Sequence, residues 1–180
     1  MQTLIEYLIS EDIEVVTSKP TGGIWFQHES PLKLTALSPR SYNDVKKVRD
    51  DNYPVADRKK EENKYRKLTN SPSDISFLYC TIVGYNSMEE PDKYPGYTYY
   101  FKLSDKQLEQ TVFDVVDKKI WMQPTLGQIG MDKAIGIWTK HTDQFKKYRD
   151  PNAGMIYPRV EVIIPFAVLP ELVYTQAEDR

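Results

Sequence analysis

The run Tyr97-Thr-Tyr-Tyr-Phe-Lys-Leu103 constrains this chain most. β-branched and aromatic side chains fill it, and such residues pack best on a pleated, half-buried surface, so it is read as a strand. A second β-biased run, Arg159-Val-Glu-Val-Ile-Ile164, follows the turn residues Arg149-Asp-Pro-Asn-Ala-Gly154 and predicts a strand over 156–165. Ile13–Thr17, Ile24–Phe26, Thr111–Val116 and Leu172–Thr175 are shorter strand candidates. Helical signals lie between them. Thr3–Ser10 places Leu4, Ile5, Leu8 and Ile9 on one face, Ser104–Gln110 offers a turn or two, and 132–148 carries Ile135, Trp138, Phe145 and Tyr148. Strands mixed with short helices, without a βαβ rhythm, predict a single α+β domain over 1–180. Its sheet should be antiparallel-rich, whole or split, with short flanking helices.

Three stretches resist a clean reading. Residues 41–67 mix acids and bases with few apolar side chains and predict a charged surface excursion, either a solvated helix or a mobile segment outside the core. Leu68–Val83 suits a helix or a strand, and Ser73 after Pro72 favours a helix at its start. Gly22-Gly23 is a turn, after which Gln27–Ser30 should break the apolar run and Pro31 should end the strand. Ala177–Arg180 is expected to be a loose tail.

Composition excludes several functions. A formal charge of −2 argues against general nucleic-acid binding, which draws on a strong basic excess. No apolar run is long enough to span a membrane, and the N-terminus lacks a signal-peptide pattern. The single Cys80 fits a reducing compartment, so a cytoplasmic location is expected. With one cysteine and two distant histidines, a structural zinc site is not expected.

The familiar catalytic signatures are absent: no GxGxxG, phosphate-loop, HExxH, CxxC or GxSxG pattern occurs. Two residues then draw notice. His28 stands at the polar end of an apolar strand, where it can reach a ligand or simply cap the strand through a backbone hydrogen bond. Glu161 is a carboxylate inside an apolar strand; alternation turns it away from Val160 and Val162, to solvent or to a cleft. His28-Glu29-Ser30 also fits the H-x-[ST] element of two-histidine phosphoesterases, although His141-Thr142-Asp143 matches it poorly.

The order of three patches resembles the plan of mono-ADP-ribosyltransferases. They are a strand ending in His28, a Thr69-Asn-Ser71-Pro-Ser73 loop, and a late Val160-Glu-Val-Ile-Ile-Pro165 strand. The resemblance implies NAD as substrate, with catalytic residues His28 and Glu161. His28 would bond a ribose hydroxyl, and Glu161 would stabilise the oxocarbenium-like charge as nicotinamide leaves. Thr69 or Ser71 would support the pocket, Tyr79 or Tyr85 would stack on nicotinamide, and Ser30 and Arg40 would contact the cofactor, Arg40 or Lys33 offsetting Glu29 beside the pyrophosphate. Arg159 departs from the paired-glutamate motif of arginine-modifying members. The opening Met1–Glu11 resembles the N-terminal helix of tailed-phage proteins, some of them packaged in the virion. That resemblance implies action in a host cytoplasm on a host protein acceptor. The rival from a different class is a non-catalytic interaction protein that binds a partner through a Tyr-rich surface, Tyr94–Phe101. The transferase reading requires His28 and Glu161 on adjacent strands facing one cleft.

Overall fold

A computed structural model describes residues 13–30, 34, 36–44, 55–83, 96–116, 121–147 and 159–175; at 116, 121, 141–147 and 159 only the backbone is described. Eight strands form one sheet in the order β1-β8-β4-β2-β3-β7-β5-β6. They are β1 (Glu14–Val16), β2 (Phe26–Ser30), β3 (Leu78–Ile82), β4 (Tyr97–Phe101), β5 (Val112–Val116), β6 (Trp121–Met122), β7 (Arg159–Ile164) and β8 (Leu172–Thr175). Among the described residues only the β1–β8 pair is parallel; every other pair is antiparallel. Besides a helical turn at 42–44, the helices among the described residues are α1 (Val55–Thr69), α2 (Asp105–Leu108), α3 (Leu126–Ile129) and α4 (Met131–Lys147). The expected α+β class with an antiparallel-rich sheet is what the chain forms.

Cross-strand partners share a face, so the register sorts the side chains. Phe26 sits opposite Phe101 and Ile82, Tyr99 opposite Val173, and Val162 opposite both Cys80 and Phe113. These residues belong to the main core, closed by Ala134 and Trp138 of α4. The Phe113 and Trp138 rings stack with centroids 6.1 Å apart. The opposite face carries Val112, Ile163 and Tyr79, packed with Tyr65 of α1 and with Phe77. The sheet is therefore covered on both sides, which explains why β4 is buried at four consecutive positions.

That burial corrects the rival reading of the tyrosines. Tyr99, Tyr100 and Phe101 are at most 1% exposed, so they form the centre of the sheet and not a docking surface; Tyr94 lies outside the described residues. The charged stretch is corrected in part as well. Positions 55–67 are α1, whose Glu62, Tyr65 and Arg66 are buried on the sheet. With Arg58 and Thr69 these form a stripe at helical spacing, but a polar one, and a hydrophobic pattern cannot reveal it. The helix ends at Asn70, in the left-handed region at φ 53°, whose N–H reaches the Arg66 carbonyl at 2.8 Å.

Two local readings also change. Ser73 starts no helix: 70–77 is turn and extended chain, and Leu78–Ile82 is a strand with alternating burial. At the other site, the strand continues two residues past His28, to Ser30, because β4 pairs with it over all five residues. Gly22 and Gly23 make the expected turn at φ 80° and 82°, conformations that suit glycine. The N-terminal helix, Lys33, Tyr85 and the tail at 177–180 lie outside the described residues.

Candidate ligand cleft in the sheet

The β2–β3 ladder stops early. Its register covers Phe26–Ile82 and Gln27–Thr81 and ends there, while β2 stays paired to β4 through Ser30. The Val83 N–H bonds to the Trp25 carbonyl, so residues 25, 27 and 29 aim their backbone groups at β3. Continued pairing would bring the Glu29 N–H to the Tyr79 carbonyl. That carbonyl instead accepts a hydrogen bond from His28 Nδ1 at 2.8 Å. A carbonyl only accepts, so Nδ1 carries the proton and, in the neutral ring, Nε2 is left as an acceptor.

The strands diverge beyond this point and leave a cleft of about 660 Å³, lined by residues of β2, β3, the 34–44 segment and Arg58 of α1. Leu37 fixes the covering segment through a two-way backbone bridge to Val168. Its other end is fixed by the Tyr42 N–H on the Asp74 carbonyl and the Ser76 N–H on the Arg40 carbonyl. The cleft brings His28, Ser30, Arg40 and Tyr79 together. Arg40 takes part in no ion pair among the described residues, whereas Arg58 is held by Glu62.

The floor of the cleft is organised by Glu62, which is fully buried. Its carboxylate accepts hydrogen bonds from Tyr42 Oη at 2.8 Å, Ser76 Oγ at 3.0 Å and Tyr79 Oη at 2.5 Å, and it pairs with Arg58 Nε at 3.5 Å. A buried carboxylate survives only when its lone pairs are met, and here donors from three segments meet them. Arg66 donates to the Tyr42 hydroxyl and to the Ile75 and Pro72 carbonyls. Arg58 donates to the Phe77 carbonyl at 3.3 Å and lies 5.0 Å over the Tyr79 ring. Burial pushes the Tyr79 hydroxyl far above the usual tyrosine range, and the adjacent Glu62 charge adds to it. Burial likewise raises Tyr42, to about 12. Neither phenol is a base at ordinary pH; both serve as fixed donors.

Three expected site residues lie elsewhere. Glu161 on β7 pairs with Asp114 on β5, two places along from Val112 on the α1 side of the sheet. His28 pairs with Tyr99, on the α4 side. The two expected catalytic residues therefore occupy opposite faces of the sheet, with β3 between their strands. Thr69 and Ser71 close the end of α1: Thr69 Oγ1 donates to the Tyr65 carbonyl at 2.8 Å, and the two hydroxyls lie 2.6 Å apart. Neither lines the cleft. Asp114 beside Glu161 is itself buried and held by Tyr65 Oη at 2.6 Å and Gln123 Nε2 at 2.9 Å. Among the described residues no group of three or more His, Cys, Asp or Glu could hold a metal ion. None of the described helices is long and apolar enough to cross a membrane.

Sequence reading missed Arg58, Glu62 and Ser76. The available signal was the 58/62/65/66 spacing in Arg58-Lys-Lys-Glu-Glu-Asn-Lys-Tyr-Arg66, which puts two arginines, a glutamate and a tyrosine on one helical face. No protein-family model, curated protein or solved structure matches the chain. The site must be read from its own chemistry.

Proposed function

We propose that this domain binds a small ligand with an anionic group in the β2–β3 cleft, with NAD and its fragments as the first candidates. The observation that carries the reading is Arg40, half-buried, in no ion pair among the described residues, and placed with His28, Ser30 and Tyr79 around a cleft of about 660 Å³. That volume lies within the roughly 300–1,000 Å³ typical of small-molecule sites. A guanidinium suits phosphate or carboxylate through paired N–H donors. The hydroxyls, the imidazole and the Arg58-capped Tyr79 ring offer the hydrogen bonds and the flat surface that a nucleoside-type ligand needs.

Glu161 has no part in this proposal. Glu161 is not among the residues lining the cleft, whose carboxylates are Glu29 and Asp44, so the β7 glutamate does not stand beside the nicotinamide–ribose bond as the resemblance implied. The expectation is binding without cleavage, and hence no transfer to a host protein. Titration calorimetry with NAD, ADP-ribose and nicotinamide mononucleotide tests it, run beside a nicotinamide-release assay. Arg40→Ala should weaken binding by roughly 10- to 100-fold, the worth of a charge-assisted hydrogen-bonded pair. Glu161→Gln should bind like the parent protein. Binding indifferent to Arg40, or none by any of the three compounds, would overturn the proposal; nicotinamide release abolished by Glu161→Gln would restore the transferase.

A further inference from the structure

Two carbonyls along the cleft, one in β3 and one in the residue just before it, each accept a hydrogen bond from a side chain. Tyr79 O accepts from His28 Nδ1 at 2.8 Å, and Phe77 O accepts from Arg58 Nη2 at 3.3 Å. Both donors come from elements that frame the opening, β2 and α1. The ladder itself is in register up to Gln27–Thr81 and stops one pair short of Glu29–Tyr79. In an antiparallel ladder, Glu29 and Tyr79 would exchange two backbone hydrogen bonds at that step.

We infer that His28 is a strut: its imidazole takes the Tyr79 carbonyl from the backbone of β2 and so keeps the sheet unzipped where the cleft opens. Buried carbonyls must be satisfied, and the imidazole satisfies the Tyr79 carbonyl without the ladder. A carbonyl has two lone pairs, so the side chain competes with the ladder bond by removing the need for it, and does not forbid it. The competition is between nearly equal bonds, each worth about 1 kcal/mol net, so a single side chain can decide it. Arg58, locked in place by Glu62, does the same one carbonyl earlier and keeps the gap from closing at its inner end. His28 is in this account a positioning residue. It shapes the cavity, and the ligand meets Arg40 and Tyr79. The consequence for binding rests on the cleft being the ligand site; the strut itself does not.

The test reads the ladder directly. Tyr79 lies at a position of β3 whose backbone N–H points across the gap, since Leu78 and Cys80 face β7 in the alternation set by Val83. In His28→Val, amide exchange at Tyr79 should slow roughly tenfold relative to the parent as the Glu29–Tyr79 pair forms. NAD affinity, where the parent binds NAD, should fall by a similar factor. Unchanged or faster exchange at Tyr79 in a folded variant overturns the strut. A second measurement needs no variant: ring nitrogen NMR of the parent protein should show His28 with its proton on Nδ1. A ring protonated only on Nε2 overturns the inference even if His28→Val does not fold. Failure of NAD to bind touches neither readout, so the strut and the ligand proposal fail separately.

Discussion

A single carboxylate shows how much of this site depends on chemistry that hydrophobic patterning does not register. Glu62 sits in Lys59-Lys-Glu-Glu-Asn-Lys64, where its neighbours Lys60, Glu61 and Asn63 are exposed, and nothing in that run separates the buried acid from the solvated one. What separates them is the partner set: Arg58 is one turn away at helical spacing, but Tyr42, Ser76 and Tyr79 come from two distant segments, so most of the signal exists only after folding. Glu62→Gln keeps the shape but replaces an acceptor oxygen with a donor facing hydroxyls, and it leaves Arg58 without its ion pair. The expected cost is about 2–4 kcal/mol in a urea melt. A change under about 0.5 kcal/mol would mean that the cluster is not holding the cleft floor. His28 was legible from sequence, because a polar side chain at the end of an aromatic run is conspicuous. Its partner, a backbone carbonyl of β3, was not, since any residue supplies a carbonyl.

At the scale of elements, the strands were the legible part. Tyr97–Phe101 and Arg159–Ile164 declare themselves by residue type, and the structure pairs both in the interior of the sheet. Residues 120–136 have no clean period in sequence, and among the described ones the structure puts short β6, the single-turn α3 and the start of α4 there; α2, read as a helical turn or two, is another single-turn helix. Each is closed by a capping box: Ser104 with Gln107 in α2, and Thr125 with Gln128 in α3. Gly127 shows why a glycine stands in α3. A Cβ there would come within 2.9 Å of Glu109 Cα, a backbone atom that cannot swing aside. Alanine ordinarily gains about 0.5–1 kcal/mol over glycine in a helix, but overpacking against fixed backbone costs about 1–3 kcal/mol. Gly127→Ala should therefore lower stability, by about 1 kcal/mol on thermal or urea unfolding; a rise would show that α2 and α3 slide apart at little cost. Helix α1 was legible as a helix but not as a buried one, because its inward stripe is largely ionic.

At the scale of the molecule, the sheet decides what can meet what. It is covered on both faces, so residues that look alike in sequence, such as His28 and Glu161 at strand positions, are sorted to opposite sides by register alone. No single-strand pattern carries that information. Double coverage also sequesters tyrosines. Tyr42 and Tyr100 are each raised to about 12 from the ordinary value of 10.0, by burial first, and Tyr99 is raised for the same reason. The sign follows from proton counts. Below pH 10 these phenols are neutral folded or unfolded; between 10 and 12 the unfolded chain loses their protons while the folded one keeps them. Stability should thus be level up to about pH 10 and fall steadily as pH rises towards 12. Chemical denaturation across that window checks it, and a flat profile would contradict the burial of these hydroxyls. The most direct test of the whole account is an amide chemical-shift titration of the parent protein with NAD. The prediction is that perturbations gather on 27–30, 38–41 and 76–81, around the β2–β3 split. Perturbations centred on Asp114 and Glu161, or none at millimolar NAD, would contradict it.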